Sequence, residues 1–156
     1  MEIDTLFGLP AHPLVVHAAV VLLPIAAIAL VVVAAIPRAR RVYGPIVLGV
    51  AVAATIAVGL AQQSGESLED SVKETELVEE HTEQGETVLP WAIGVTVVSA
   101  LVAAEPYTRK RLGSPRIVTA VLVGASLIVG AGATWTVIEV GHSGATSVWN
   151  DVTDGG

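Results

Sequence analysis

Four histidines are the side chains of this chain best suited to bind a metal or a cofactor. His12 and His17 are five positions apart, and His81 and His142 occur singly further along the sequence. Each lies within about two helical turns of the end of a long apolar run. His17 lies inside the first run, where an ionisable side chain is costly unless it has a partner. We therefore expect His17 to be buried as a ligand of iron.

Two imidazoles on facing helices, at the same depth of a bundle, are what a six-coordinate haem b requires. We predict a bis-histidine haem protein that transfers electrons, with His17 as one axial ligand and His81 or His142 as the other. The remaining histidines, including His12, would bind the haem propionates or form part of a quinol pocket. Three glycines would leave room for the porphyrin: Gly59, Gly130 and Gly132.

Two other interpretations of the histidines remain open. A metal centre for Zn²⁺, Cu²⁺ or iron could use His17, His81 and His142 with a carboxylate oxygen of Glu86, Glu66 or Glu80. The chain could also be a structural or assembly subunit whose histidines hold no cofactor. In that case His12 would help the chain turn into its first helix, His81 would be a surface residue, and His142 would face the headgroups. No catalytic residue is predicted, and a binding or electron-transfer protein is favoured over a stand-alone enzyme.

The composition places the chain in a membrane. Of its 156 residues 53% are hydrophobic, and the mean hydropathy is +0.70, which is high for a water-soluble domain. Cysteine is absent, which excludes disulfides, iron–sulfur ligation and covalent c-type haem attachment. The net charge is −7, and the sequence contains no basic patch large enough to bind nucleic acid.

Four apolar runs predict an all-α, four-transmembrane-helix bundle that forms a single domain over residues 1–156. Each run has the length needed to cross about 30 Å of hydrocarbon as a helix. The runs are rich in Val and Ile, but a lone strand cannot satisfy its backbone hydrogen bonds in lipid, whereas a helix can. The predicted spans are about 14–36, 45–61, 88–104 and 117–138.

The basic residues predict the orientation of these spans. Seven of the eight Lys and Arg residues fall in the first and third loops: Arg38, Arg40, Arg41, Arg109, Lys110, Arg111 and Arg116. The positive-inside rule makes both loops cytoplasmic, so both termini and all four histidines are expected outside. The acidic segment 62–87 would also lie outside. Its apolar residues recur at helical spacing, which predicts an amphipathic helical extension of the second and third spans.

Small residues recur every four positions in the second span, and they form one stripe from Gly49 to Gly65. Such a stripe allows another helix or a flat cofactor to approach the backbone closely. It is compatible with packing inside the bundle and with a homo- or hetero-oligomer.

Three stretches of the chain together resemble a known family. They are Gly-Leu-Pro-Ala-His-Pro-Leu-Val-Val-His (Gly8 to His17), His81 with the following Gly85-Glu86, and Gly141-His142-Ser143-Gly144-Ala145 with Val148. In combination they look like the DUF2231 family of predicted four-helix bacterial membrane proteins, and the resemblance covers nearly the whole chain. It implies a multi-pass protein of the bacterial cytoplasmic membrane.

Some members of that family are fused to Rieske or c-type cytochrome domains. The resemblance therefore implies membrane electron transfer with a redox partner protein. The 156 residues include no such domain, and Ala18-Ala19 stands where many relatives have Phe-Pro. The acidic segment 62–87 would suit the docking of a basic partner.

Overall fold

The computed structural model describes the backbone of residues 5–6, 9–69, 76–108 and 114–153, and the side chains of residues 12–67, 78–108 and 114–146. Two strands of two residues, β1 (Thr5–Leu6) and β2 (Leu9–Pro10), pair antiparallel before the first helix. The helices in the described ranges are α1 (Ala11–Ala35), α2 (Pro37–Glu69), α3 (Glu76–Glu86), α4 (Val88–Thr108) and α5 (Pro115–Thr153).

Four stretches of helix are long and apolar enough to cross a membrane: His12–Ala35, Pro37–Ser67, Val78–Thr108 and Pro115–Thr146. Their backbone groups are satisfied within each helix, as hydrocarbon requires. The predicted all-α, four-helix transmembrane bundle is confirmed. The acidic segment is helical where it is described, since α2 continues to Glu69 and α3 begins at Glu76. Residues 70–75 lie outside the described ranges.

The four long helices pack in a ring. α2 contacts α1 and α4, and α5 contacts the same two helices from the other side. The interior contains mostly small residues such as Ala26, Ala51 and Ala133, each with no exposed surface, whereas large side chains such as Ile28 and Trp135 are 65% and 63% exposed. Small residues inside and large apolar residues outside are typical of helices that pack closely in lipid.

The bundle is built from two similar helical hairpins. The first hairpin comprises residues 12–67, and the second comprises residues 81–146. A shift of 69 positions in the sequence aligns His12 with His81, and it aligns six of the seven buried residues described in α1 with buried residues of α4. These pairs are Ala19 and Val88, Leu23 and Ala92, Ala26 and Val95, Leu30 and Ser99, Val33 and Val102, and Ala34 and Ala103.

The second helices of the two hairpins correspond in the same way, with a shift of 79 positions. The shift superimposes buried residues of α2 on buried residues of α5: Val47 and Ser126, Ala51 and Gly130, Ala54 and Ala133, Ala57 and Thr136, and Val58 and Val137. It also pairs identical residues, including Thr55 with Thr134, Ser64 with Ser143, and Gly65 with Gly144. Because the hairpins run in the same direction, the repeat is related by an axis along the bundle.

Candidate histidine site

The ring of His12 is held against α2 at the end of the first hairpin. His12 lies in the first turn of α1 and is half-buried. Its Nδ1 is 3.0 Å from Ser64 Oγ and 3.2 Å from the carbonyl oxygen of Ala61. A Cβ atom at Gly65 would lie 3.2 Å from His12 Cε1, so the ring rests on the α2 backbone where a side chain is missing.

The ring of His81 is held against α5 in the same way. His81 lies in α3 and is half-buried. Its Nδ1 is 3.1 Å from Ser143 Oγ, and the ring also hydrogen bonds to the carbonyl group of Val140. A Cβ atom at Gly144 would lie 2.8 Å from His81 Cε1. Each hairpin therefore contributes one histidine and one Ser-Gly pair that receives it.

The hydrogen bonds determine which ring nitrogen of His12 carries the proton. A carbonyl oxygen only accepts hydrogen bonds, so Nδ1 must donate to Ala61. The hydroxyl of Ser64 donates to the same carbonyl over 3.0 Å, which leaves its oxygen free to accept from Nδ1. The neutral imidazole then has its unprotonated lone pair on Nε2.

His81 has the same arrangement, because Ser143 donates to the carbonyl of Val140 over 3.2 Å. Metal-bound histidines commonly donate their second ring N–H to a backbone carbonyl, which orients the ring and makes the coordinating nitrogen more basic. His12 is also close enough to His81 for an electrostatic interaction between the two rings. The structure thus places two imidazoles, each with an unprotonated Nε2, at one end of the bundle, which we call the histidine end.

His17 and His142 do not face a neighbouring helix as His12 and His81 do, and for His142 this agrees with the interpretation in which it faces the headgroups. Both are exposed, so the prediction that His17 is buried is wrong. Five positions along a helix turn a side chain by about 140°, which takes His17 off the face that carries His12. Its Nδ1 donates to the carbonyl of Pro13 in its own helix, and this bond provides a local partner. His142 is next to Ser143 and lies about 100° away from it around α5.

The structure does not assemble the predicted metal ligands. In the described ranges no group of three or more His, Cys, Asp or Glu side chains is arranged to hold a metal ion. Glu66, Glu80 and Glu86 are exposed, and Glu80 accepts a hydrogen bond from Gln84 over 3.1 Å. The internal repeat places Glu86 at the position equivalent to His17.

The glycines expected to make room for a porphyrin have different surroundings. The Trp91 ring packs directly against Gly132, and a Cβ atom there would clash with it. Gly130 faces Ala27, whose Cβ would lie 3.5 Å from an added methyl group, whereas Gly59 has open space around it. Gly132 is therefore a packing position for Trp91, and the glycines that contact histidines are Gly65 and Gly144.

A second polar cluster, absent from the sequence predictions, lies at the opposite end of the bundle, which we call the arginine end. Arg40 is fully buried and Glu105 is 4% exposed, and Arg40 Nη1 lies 3.4 Å from Glu105 Oε2. Arg40 Nε and Nη2 donate to the carbonyl of Ala34, and Nη2 also donates to Thr119 Oγ1 over 3.0 Å. One guanidinium group thus joins all four long helices.

A sequence model described as "Predicted membrane protein (DUF2231)" matches residues 8–154. The match spans both hairpins, including the two histidines and their Ser-Gly pairs. No curated protein and no solved structure gives a significant match to this chain.

Proposed function

The chain belongs to the DUF2231 family of predicted membrane proteins, and we propose that it binds one haem b through His12 and His81 and transfers electrons. The observation that carries the proposal is the symmetric histidine pair. Each ring is held through Nδ1 by a serine of a neighbouring helix, and each also hydrogen bonds to a backbone carbonyl of that helix. Each ring therefore presents Nε2 as its coordinating atom.

The number of ligands favours haem over a bare metal ion. A zinc or copper site needs three or four protein ligands, and the described residues bring no such group together. Haem iron takes four nitrogens from the porphyrin and needs two axial ligands from the protein. His12 and His81 supply that number. When bound, the haem would supply one-electron redox chemistry, while the protein orients the imidazoles through Ser64 and Ser143.

The proposed ligand pair differs from the one expected from the sequence. His12 replaces His17 as the ligand from α1, because His12 faces α2 and His17 faces outwards. His81 keeps its proposed role. His142 is assigned no axial role, and its exposed position next to Ser143 suits contact with a haem propionate or with a quinol.

We place the histidine end on the outer side of a bacterial cytoplasmic membrane, with both termini outside. Three exposed arginines support this orientation, because Arg38, Arg41 and Arg116 lie at the arginine end. Short loops rich in Lys and Arg are typically cytoplasmic. A Cys-free background allows a direct test. Glu83→Cys in α3 should react with an impermeant thiol reagent in intact cells, and Ser114→Cys before α5 should react only after lysis. Reversed labelling would reject the orientation.

The exposed carboxylates of α3 would give the haem a docking surface for a basic redox partner. Glu79, Glu80, Glu83 and Glu86 are exposed beside His81. Complementary charge of this kind mainly raises the rate of association, and the effect falls with salt. A partner protein or a quinol would exchange electrons at this end, and the bundle could also associate with further copies or subunits.

Optical spectroscopy of the purified protein tests the haem proposal. The wild type should show a Soret band, alpha bands on reduction and a positive pyridine haemochrome assay. His12→Ala and His81→Ala should each lose most of the haem, because six-coordinate ligation needs both rings. His17→Ala is the matched control, since His17 is an exposed histidine close to a proposed ligand, and it should retain the haem. His142→Ala should retain most of the haem, because His142 has no axial role.

Three outcomes would reject this assignment. Haem loss in His17→Ala with haem retention in His12→Ala would restore the ligand pair expected from the sequence. A colourless protein that holds stoichiometric zinc or copper by elemental analysis would replace haem with a metal centre. A protein that holds neither, and that loses only stability in His12→Ala, would favour a structural or assembly subunit.

A further inference from the structure

A groove runs along the lipid-facing surface at the arginine end, between the junction of α1 with α2 and the first turns of α5. Its volume is about 700 Å³, and its lining is mostly apolar: Pro37, Pro115, Arg116, Thr119, Ala120, Val123, Gly124 and Leu127. That volume lies in the range of small-molecule sites. The groove lies at the opposite end of the bundle from the histidines. What it binds therefore does not depend on whether the protein binds haem.

The internal repeat explains why the groove is on this side of the bundle. In the corresponding contact between α2 and α4, Gly44 packs against the backbone of Ala103, and an added Cβ would lie 2.9 Å from Ala103 Cα. The repeat places Val123 of α5 at the position of Gly44. A valine side chain is expected to keep α5 farther from α1 at this point than α2 is from α4. The looser contact expected beside α5 agrees with the groove found there.

The charges around the groove indicate the polarity of its occupant. Arg116 lies in the lining and is exposed, and within the described ranges it forms no ion pair with an acidic side chain. Arg40 lies behind Thr119 but is already paired with Glu105. Among the residues that line the groove, Arg116 is thus the cation available to a ligand, and it lies at the loop end of an apolar surface formed by α5.

We propose that the groove binds one anionic phospholipid. The phosphate would pair with the Arg116 guanidinium, which matches phosphate geometry with two parallel donors. An acyl chain would lie along Ala120, Gly124 and Leu127, where the absence of a side chain at Gly124 leaves space. Basic pockets between transmembrane helices are known to bind anionic headgroups. The combination of an exposed arginine and a continuous apolar surface in the lining fits a lipid better than a soluble anion.

Native mass spectrometry of the delipidated full chain in detergent tests the proposal, with phosphatidylglycerol and phosphatidylcholine as probes. The wild type should retain one phosphatidylglycerol in preference to phosphatidylcholine. Arg116→Gln should bind phosphatidylglycerol about fivefold more weakly, the effect expected of one basic residue at an anionic lipid surface. Arg41→Gln removes an exposed arginine outside the groove and should bind as the wild type does.

A second pair of variants tests the apolar part of the groove. Gly124→Leu should reduce retention of phosphatidylglycerol because its side chain would fill the groove. Gly49→Leu is the matched control, since Gly49 is an exposed glycine of α2 that also has open space around it. Equal retention of the two lipids by the wild type would overturn the proposal. So would equal effects of Arg116→Gln and Arg41→Gln, or of Gly124→Leu and Gly49→Leu. Tight binding of free inorganic phosphate without lipid would make the groove an anion site instead.

Discussion

At the histidine end of the bundle the two hairpins repeat one histidine and the Ser-Gly pair that contacts it, whereas at the arginine end the residues of the polar cluster are not repeated. His12, Ser64 and Gly65 are repeated as His81, Ser143 and Gly144. Arg40 instead has Thr119 as its counterpart, and Glu105 has Ile36. Because the repeat is preserved at the histidine end and lost at the arginine end, the two ends of the bundle meet different requirements. The preserved end suits a ligand that both hairpins hold alike, while the altered end supplies the contact that joins the hairpins.

The altered end contains a contact between residues that are equivalent in the repeat. Arg40 donates to Thr119, so the two residues lie near the axis that relates the hairpins. A charged residue cannot be repeated there, because two arginines at the axis would repel each other. The second hairpin has Thr119 at this position instead of an arginine. Arg40 can therefore donate to the Thr119 hydroxyl and pair with Glu105 without facing a second positive charge.

The largest expected effect of a substitution is at the arginine end. Arg40→Met should destabilise the bundle by about 3–5 kcal/mol, because it removes the guanidinium group from a buried ion pair with Glu105 and breaks its hydrogen bonds to α1 and α5. Thermal unfolding in detergent would measure the loss. Arg41→Met is the control, since Arg41 is the exposed neighbour and should change stability by less than about 0.5 kcal/mol.

A double variant separates a lost ion pair from lost packing. Arg40→Met combined with Glu105→Leu should recover much of the stability, because apolar residues can replace a buried pair at little cost. A double variant no more stable than Arg40→Met would show that the hydrogen bonds to Ala34 and Thr119 matter more than the charge.

At the histidine end the expected effect is smaller and differs between the hairpins. Gly144→Ala adds a methyl group 2.8 Å from His81 Cε1, whereas Gly65→Ala adds one 3.2 Å from His12 Cε1. The first should cost about 1–3 kcal/mol through overpacking, and the second should cost less. Thermal unfolding and haem retention would report the difference. Gly141→Ala, with open space around it, is the control, and an equal loss in all three variants would contradict the geometry.

The fold could be predicted from the sequence, because four apolar runs of membrane-spanning length leave helices as the structure that satisfies the backbone. The clustering of the histidines at one end follows from their positions near the ends of those runs. The choice between His12 and His17 could not be made, because it depends on the rotation of α1 about its axis. The cost of an ionisable residue in an apolar run favoured His17, but the carbonyl of Pro13 provides its partner.

Two other features are present in the sequence, but the sequence alone does not show what they do. The Ser-Gly pairs at 64–65 and 143–144 are a repeated dipeptide, and their role depends on which side chain faces them. The positive-inside rule treats Arg38, Arg40 and Arg41 alike, yet α2 turns Arg40 inwards and the other two outwards. Rotation of a helix about its own axis is set by packing against its neighbours, and packing is not read from a single apolar run.

The smallest effect is expected in the middle of the bundle, at a threonine that both hairpins share. Thr55 donates to the carbonyl of Ala51 over 3.0 Å, and Thr134 donates to the equivalent carbonyl of Gly130 over 2.8 Å. Thr55 Oγ1 is in addition 2.8 Å from Thr96 Oγ1 and 3.1 Å from the carbonyl of Ala92, so it also bonds to α4. Thr55→Val should therefore cost about 0.6 kcal/mol, the average of an interhelical hydrogen bond in a membrane.

Thr134→Val is the matched control for this threonine, because the hydrogen bond from Thr134 to Gly130 stays within α5 and valine keeps the branched shape. It should leave the unfolding temperature nearly unchanged. The double variant Thr55→Val with Thr96→Val should lose no more stability than Thr55→Val alone if the two hydroxyls act as one pair. Equal losses in Thr55→Val and Thr134→Val would show that the helix-internal bonds dominate, and that the hairpins are as alike in the middle as at the histidine end.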